Sequence, residues 1–443
     1  MTTYHAQWVW RGGDRADANV RITVEGSKIT ALEVDRAAER GDVVIRGVVM
    51  PGLVNAHSHA FHRALRGNTH GGSGDFWSWR EPMYVIANRL TPDNYRALAT
   101  AVFAEMALAG ITGVGEFHYV HHPVEGGHYA DPNEMGRAMV DAARTSGLKL
   151  ALLDVAYLHA GLDKPEPLAE QRRFSDGSMD AWLDRVDLLG DGGDGWTVGL
   201  APHSVRAVHP EDLEAVVANR HGRVVHLHVS EQPAENAACV AATGKTPTGV
   251  LAEAGLLGPH VCAVHATHLT DDDINLLGST GTHVCFCPTT ERDLADGIGP
   301  AKRLVGAGAT LCVGSDSHAV IDLFEEARAI EQDERLITGV RGNHSPASLL
   351  EAATTNGANS LGWERHGIAV GSPADFIALD VDSVRLASFT AHNAAAHIVY
   401  SASPADVRDV WVGGKQIVKD FAHVAIDDVP AALRAAIASV VTL

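Results

Sequence analysis

The chain of 443 residues is short of several things, and each shortage excludes something. It has only five cysteines, Cys239, Cys262, Cys285, Cys287 and Cys312, and no Cys-x-x-Cys pair. That argues against a disulfide-stapled fold and for reduced thiols buried in strands, Cys285 and Cys287 included. Basic residues are in deficit, with 35 Lys and Arg against 55 Asp and Glu and a formal net charge of -20. A surface of that sign excludes nonspecific nucleic-acid binding, which needs a basic face. Local arginines can still receive an anionic substrate. No run of about 18 apolar residues is present, so no membrane span is expected. The opening stretch MTTYHAQWVWRGGDRADANV lacks the apolar centre of a secretory signal. Export is therefore not expected, and a cytoplasmic location is. There is no internal repeat and no low-complexity tract.

What is present reads as globular, at 46% hydrophobic and 20% charged. Short apolar runs alternate with helical patterns: GLVNAHSH, GITGVGEFHY, LKLALLDVAY, WTVGLAPHS, RVVHLHVSE, VCAVHATHL, THVCFCPTT and TLCVGSDSH. Between the first two, Thr91 is a helix N-cap, Pro92 suits the first helical position and Gly110 is a stop. Tyr95, Leu98, Val102 and Met106 give that helix its apolar stripe. Thr270 and Asp273 start another. Strands alternating with helices predict a parallel sheet, and eight such units predict an α/β fold, a (β/α)8 TIM barrel, over residues 50–367. The ends differ. Residues 1–49 carry alternating strands with a turn at Glu25-Gly26, and residues 368–443 carry a hairpin around Gly413-Gly414. Both ends are expected to form one small β-sandwich domain.

Polar residues close nearly every strand, at the end where barrel enzymes gather their active sites. They are His57 and His59, then Glu116 with His118 and Tyr119, then His203, His228, His265 and Asp316. Residues two apart on a strand share a face, so His57 and His59 can meet one ion. Three histidines and a carboxylate suit a borderline cation such as Zn²⁺. His226, two residues before His228, lies one layer deeper and is read as structural.

The motifs PGLVNAHSHA, HLHVSE, VHATHL, GSDSH and GSPADFIALD, in this order, resemble the amidohydrolase superfamily over nearly the whole chain. The resemblance implies a metal-bearing barrel and a β-sandwich from both ends. It implies His57, His59, His228 and Asp316 as ligands of one Zn²⁺ per subunit, Fe²⁺ or Mn²⁺ being tolerated by the same set. His265 then contacts the attacking water or the substrate. Binuclear relatives place a carboxylated lysine at the end of strand 4. This chain has His203 there, so the mononuclear, deaminase-like branch fits. Glu231, three residues after His228, matches that branch as the proton shuttle to the leaving nitrogen, with Asp316 taking the proton of the water.

Longer stretches, HSHAFHRALRG, DFWSWREPMY and EFHYVHH, resemble the formimidoylglutamate deiminases of histidine degradation. They are placed in the loops after strands 1 and 2. The resemblance implies hydrolytic deamination of N-formimidoyl-L-glutamate to N-formyl-L-glutamate and ammonia. Arg80 and Arg206 would pair with the substrate carboxylates, and Tyr119 and His203 would add hydrogen bonds. His62 stands where that branch usually has Gln. It is expected at the pocket mouth, as an imidazole able to ionise near neutral pH and hold a carboxylate. Arg63 and Arg66 are assigned to the first helix or solvent, and Trp77 and Trp79 to packing of the loop. The alternative reading is a purine- or pterin-type amino-heterocycle deaminase on the same scaffold. The expected partner is a small-molecule substrate, and the expected assembly is a homodimer.

Overall fold

The computed structural model describes residues 1–69, 76–363 and 365–441. Each of the eight apolar runs forms a strand: Leu53–Ser58, Ile111–His118, Lys149–Ala156, Trp196–Pro202, Val225–Val229, Val261–His265, His283–Phe286 and Thr310–Val313. They pair in parallel in sequence order. A parallel bridge between Ser58 and Asp316 closes the eighth strand onto the first. That seam needs glycine at 314, where a Cβ would sit 2.7 Å from the His57 carbonyl oxygen. Asn55 clamps it, donating to Ser315 Oγ (2.7 Å) and accepting from Ser315 N (2.9 Å).

The helix between the first two strands runs Pro92–Leu108. Thr91 and Asn94 cap it reciprocally, satisfying amides left open at a helix start. Its buried Tyr95, Leu98, Val102 and Met106 face the barrel, and Gly110, at φ +87°, turns the chain into the next strand. Thr270 caps the helix Asp271–Ser279 in the same way. Beneath the strand ends, Ala56, Cys262, Val264, Cys285, Cys287 and Cys312 form a separate buried cluster with no helix residue in it, so it fills the barrel interior. All five cysteines are free and buried.

The segment after the first strand departs from the expected loop. Ala60–Leu65 is a 3₁₀ helix and Phe76–Ala87 an α-helix. Pro82 argues against a helix interior, yet burial of Met83, Ile86 and Ala87 against the core sustains it. Residues 70–75, which include the first residue of the DFWSWREPMY stretch, lie outside the described residues.

The chain ends meet in one eight-stranded sheet, four strands from residues 2–51 and four from residues 376–423. The Gly413-Gly414 pair, both at positive φ, turns the expected hairpin. Tyr4 and Trp411 stand three strands apart in the sheet order, about 14 Å on a flat sheet. Their ring centroids are 5.5 Å apart, so the sheet curls over its own core. Among the described residues no helix is long and apolar enough to cross a membrane.

Candidate active site

His57 and His59 leave the first strand, His228 the fifth, and Asp316 follows the eighth. Their ligand atoms lie within 4.8 Å of one another, and all four are buried. The His228 Nδ1–H donates to the His203 carbonyl (3.1 Å) and the His59 Nδ1–H to that of Phe117 (3.0 Å). Those bonds assign the proton to Nδ1 and leave each Nε2 as a lone pair. The His228 and His57 Nε2 atoms are 3.2 Å apart. Asp316 Oδ1 lies 3.4 Å from His57 Nε2 and 3.3 Å from His59 Nε2. Lone pairs and a carboxylate converging this closely repel one another unless a cation sits among them. The set therefore fits a divalent metal by its own electrostatics. Burial pushes His57 down to about 3 and His228 well below its usual value, which keeps both imidazoles neutral as ligation requires.

Asp316 and His265 both hold positive φ, +41° and +68°. A non-glycine residue in that region costs on the order of 1–3 kcal/mol and turns its side chain inward at the strand end. His265 sits among carboxylates. Its Nε2 lies 3.6 Å from Glu231 and 3.7 Å from Asp316, and its Nδ1 3.3 Å from Glu291. Burial lowers its pKa, but those carboxylates outweigh burial and push it up to about 10. Burial raises Glu231 and Glu291 above the ordinary carboxylate range. Glu291 was not singled out from the sequence. It comes from the helix Pro288–Asp293, just past the seventh strand, and an acid at that strand end was the available signal.

Above the metal ligands opens a cavity. His59, His62, Arg80, Tyr119, His203, Arg206, His228, Glu231, His265 and Asp316 all line it. Of the strand-end residues singled out from the sequence, His57, Glu116 and His118 do not, being buried below or behind it. Arg80 hydrogen-bonds the Tyr84 hydroxyl and lies over its ring, 5.4 Å from the centroid. Arg206 is half-buried, and its Nε has no partner among the described residues. Glu235 and Glu231 raise its pKa against the opposing effect of burial.

Two expectations are corrected. Trp79, assigned to packing, lines the cavity; of the Trp77 side chain nothing is described. His62 is not at the mouth. It is 3% exposed, its Nε2 lies 2.8 Å from the Tyr119 hydroxyl, and its ring stands over Trp79. Burial, with His59 beside it, pulls its pKa well below the ordinary value, so it is neutral at pH 7. Arg63 and Arg66 both bind Glu105 on the helix Pro92–Leu108, away from the cavity. His226 donates to the Ser360 carbonyl (2.8 Å), consistent with its structural reading.

Comparison with known proteins bears on this geometry. The model of the amidohydrolase family matches residues 48–417. The chain is 36% identical over 418 residues to the formimidoylglutamate deiminase of Pseudomonas aeruginosa, covering 91% of this chain and 92% of that protein. An amidohydrolase structure from Brucella melitensis superposes with a TM-score of 0.90 at 32% identity, over 99% of this chain and 100% of that one. An adenosine deaminase from Xanthomonas campestris, solved with bound zinc, has a TM-score of 0.85 at 25% identity, over 100% of this chain and 99% of that one.

Proposed function

The chain belongs to the amidohydrolase family, hydrolases of carbon–nitrogen bonds, and from that premise we propose that it hydrolyses N-formimidoyl-L-glutamate to N-formyl-L-glutamate and ammonia. The observation that carries this reading is Arg206. A guanidinium with an unpartnered, buried Nε lines the same cavity as Arg80, Glu231, His265 and Asp316. Two arginines in one cavity suit a substrate with two carboxylates, and the carboxylates around His265 suit a cationic amidine at its other end.

His57, His59, His228 and Asp316 would hold the metal, about one Zn²⁺-type ion per chain, which would supply the polarisation of water needed for attack near neutral pH. Asp316 accepts the proton of the attacking water. His265, cationic among its carboxylates and 3.7 Å from Asp316, orients the oxygen of the attacking water. Glu231, its carboxyl favoured in the protonated form by burial, delivers a proton to the leaving nitrogen. Tyr119, held by His62, and His203 direct hydrogen bonds to the glutamate part. Trp79 and Phe174 wall the cavity and limit water.

A second reading has an observation of its own. Trp79, Tyr84, Tyr119, Tyr157 and Phe174 all line the cavity, and aromatic walls suit a purine ring as well. Assay of formimidoylglutamate beside adenosine and guanine, with carbon NMR of the products, separates the two. N-formylglutamate and ammonia are expected. Formamide with free glutamate, or turnover of the purines alone, would sink the proposal.

A further inference from the structure

The charge around His265 is not balanced by the groups the reaction uses. Asp296 adds another carboxylate to the same corner. It follows the helix Pro288–Asp293, and its backbone is pinned at both ends: its N–H donates to the Glu291 carbonyl (2.8 Å), and its carbonyl accepts from His268 Nε2 (2.7 Å). Its Oδ1 accepts from Gln232 Nε2. Its Oδ2 has no partner among the described residues, although Asp296 is only 2% exposed. Leaving a buried carboxylate oxygen unsatisfied is costly, and that cost falls when a cation or proton occupies the space beside it.

Glu231, His265 and Asp296 each present one ligand atom, and the three atoms lie within 4.8 Å of one another. None of them belongs to the set His57, His59, His228 and Asp316, so the two groups can be filled together. We propose that Glu231, His265 and Asp296 form a second divalent-cation site, whose occupation inhibits the enzyme. Two carboxylates and one imidazole are a donor set for Zn²⁺ or Mn²⁺. Glu291 on His265 Nδ1 supplies the outer partner that metal-binding histidines commonly have, leaving Nε2 toward Glu231. Glu231 and His265 line the cavity, so an ion reaches the site from the substrate side. Binding displaces the protons of His265 Nε2 and Glu231 into solvent and so removes the acid and the imidazolium that the reaction needs, which makes the effect inhibitory. His265 also converges with Cys287 and Asp316, but that set shares Asp316 with the first metal.

The test starts from protein carrying one zinc per chain and adds zinc, following stoichiometry by calorimetry and elemental analysis. The parent should take a second equivalent and lose activity as it does so. Asp296→Asn should keep the first zinc and its activity, bind the second at least about 10-fold more weakly, and escape inhibition. Cys287→Ser should still bind both. Cadmium-113 NMR of the parent gives a readout independent of any variant. The second ion should resonate in the oxygen and nitrogen range, upfield of thiolate-bound cadmium. Saturation of the parent at one zinc, unchanged second-site binding in Asp296→Asn, or a thiolate shift would each overturn the proposal. Stoichiometry and cadmium shift do not depend on the substrate, so failure of the formimidoylglutamate reading would leave them standing.

Discussion

Two buried clusters in this barrel each gather acids around one basic side chain and do opposite things. Behind the third strand, Arg185 makes five hydrogen bonds, to Asp154, Asp176 and Asn133, using every N–H it has. Trp182 also donates to Asp154, and His122 to Asp176. Every charge there has an opposite partner. At the sixth strand the acids are in larger surplus, with Glu231, Glu291 and Asp316 around one His265 and Asp296 behind them. Arg206 shows the same contrast with Arg185, because its Nε is left without a partner. A satisfied cluster holds structure together. A cluster with surplus charge is stable only with something bound, and that surplus marks the site.

The sharpest test breaks the surplus cluster at the metal. His228→Ala, and His57→Ala alike, should lose bound metal and turnover together, by more than the roughly 100-fold that loss of an outer partner costs. Metal analysis beside kcat checks this, and a variant that stays fully active after chelation would dissolve the contrast.

Breaking the satisfied cluster should cost stability instead. Asp176→Asn removes one partner of a buried arginine and should destabilise the fold by about 3–5 kcal/mol in urea unfolding, with metal content unchanged. The pH dependence has a definite sign. Arg185 and His122 outweigh the effect of burial and hold the Asp176 carboxyl below its ordinary value. A folded pKa below the unfolded one stabilises the native state above the unfolded value, and that contribution is lost as pH falls through the folded one. The parent should therefore lose stability on acidification below about pH 4, and Asp176→Asn should lose less over the same window.

Arg206→Met sharpens the contrast from the other side. It should lower kcat/KM on formimidoylglutamate by about 2–4 kcal/mol, since a substrate carboxylate is left unpaired. Its melting temperature should fall less than that of Asp176→Asn, because Arg206 Nε has no partner to lose and only the charge facing Glu235 and Glu231 is removed. A destabilised variant with unaltered kcat/KM would place Arg206 with Arg185. The smallest effect is expected at Glu291→Gln, which keeps a partner on His265 but removes one charge. A loss of about 10-fold in kcat with metal retained is expected, and an unchanged kcat would make Glu291 structural.

Much of this was legible beforehand. The eight strands showed as apolar runs because a buried parallel strand must be apolar along its length. The helix at residues 92–108 showed through its cap, its stripe and its stop. His57, His59, His228 and Asp316 showed because a ligand at a strand end interrupts an apolar run. The helix at residues 76–87 did not show, since Pro82 and Trp79 read locally as a loop and only packing of Met83 and Ile86 sustains it. Asp296 and Glu291 did not show either, since an acid in a loop or a short helix past a strand end is ordinarily solvated.

The sequence by itself determined the alternation of strands and helices, the polar residue at each strand end and the excess of acid over base. These are local or compositional properties, written into residue type and spacing. Only the tertiary structure decided which charges meet. Arg185 and Arg206 differ in the sequence only by the resemblance that singled out Arg206, and Asp176 and Asp296 do not differ at all. Closing the barrel put one arginine among paired carboxylates and left the other open to a cavity. It also made His62 a buried neutral imidazole, because a side chain's pKa follows the groups and solvent around it, and residues far apart in the chain supply those.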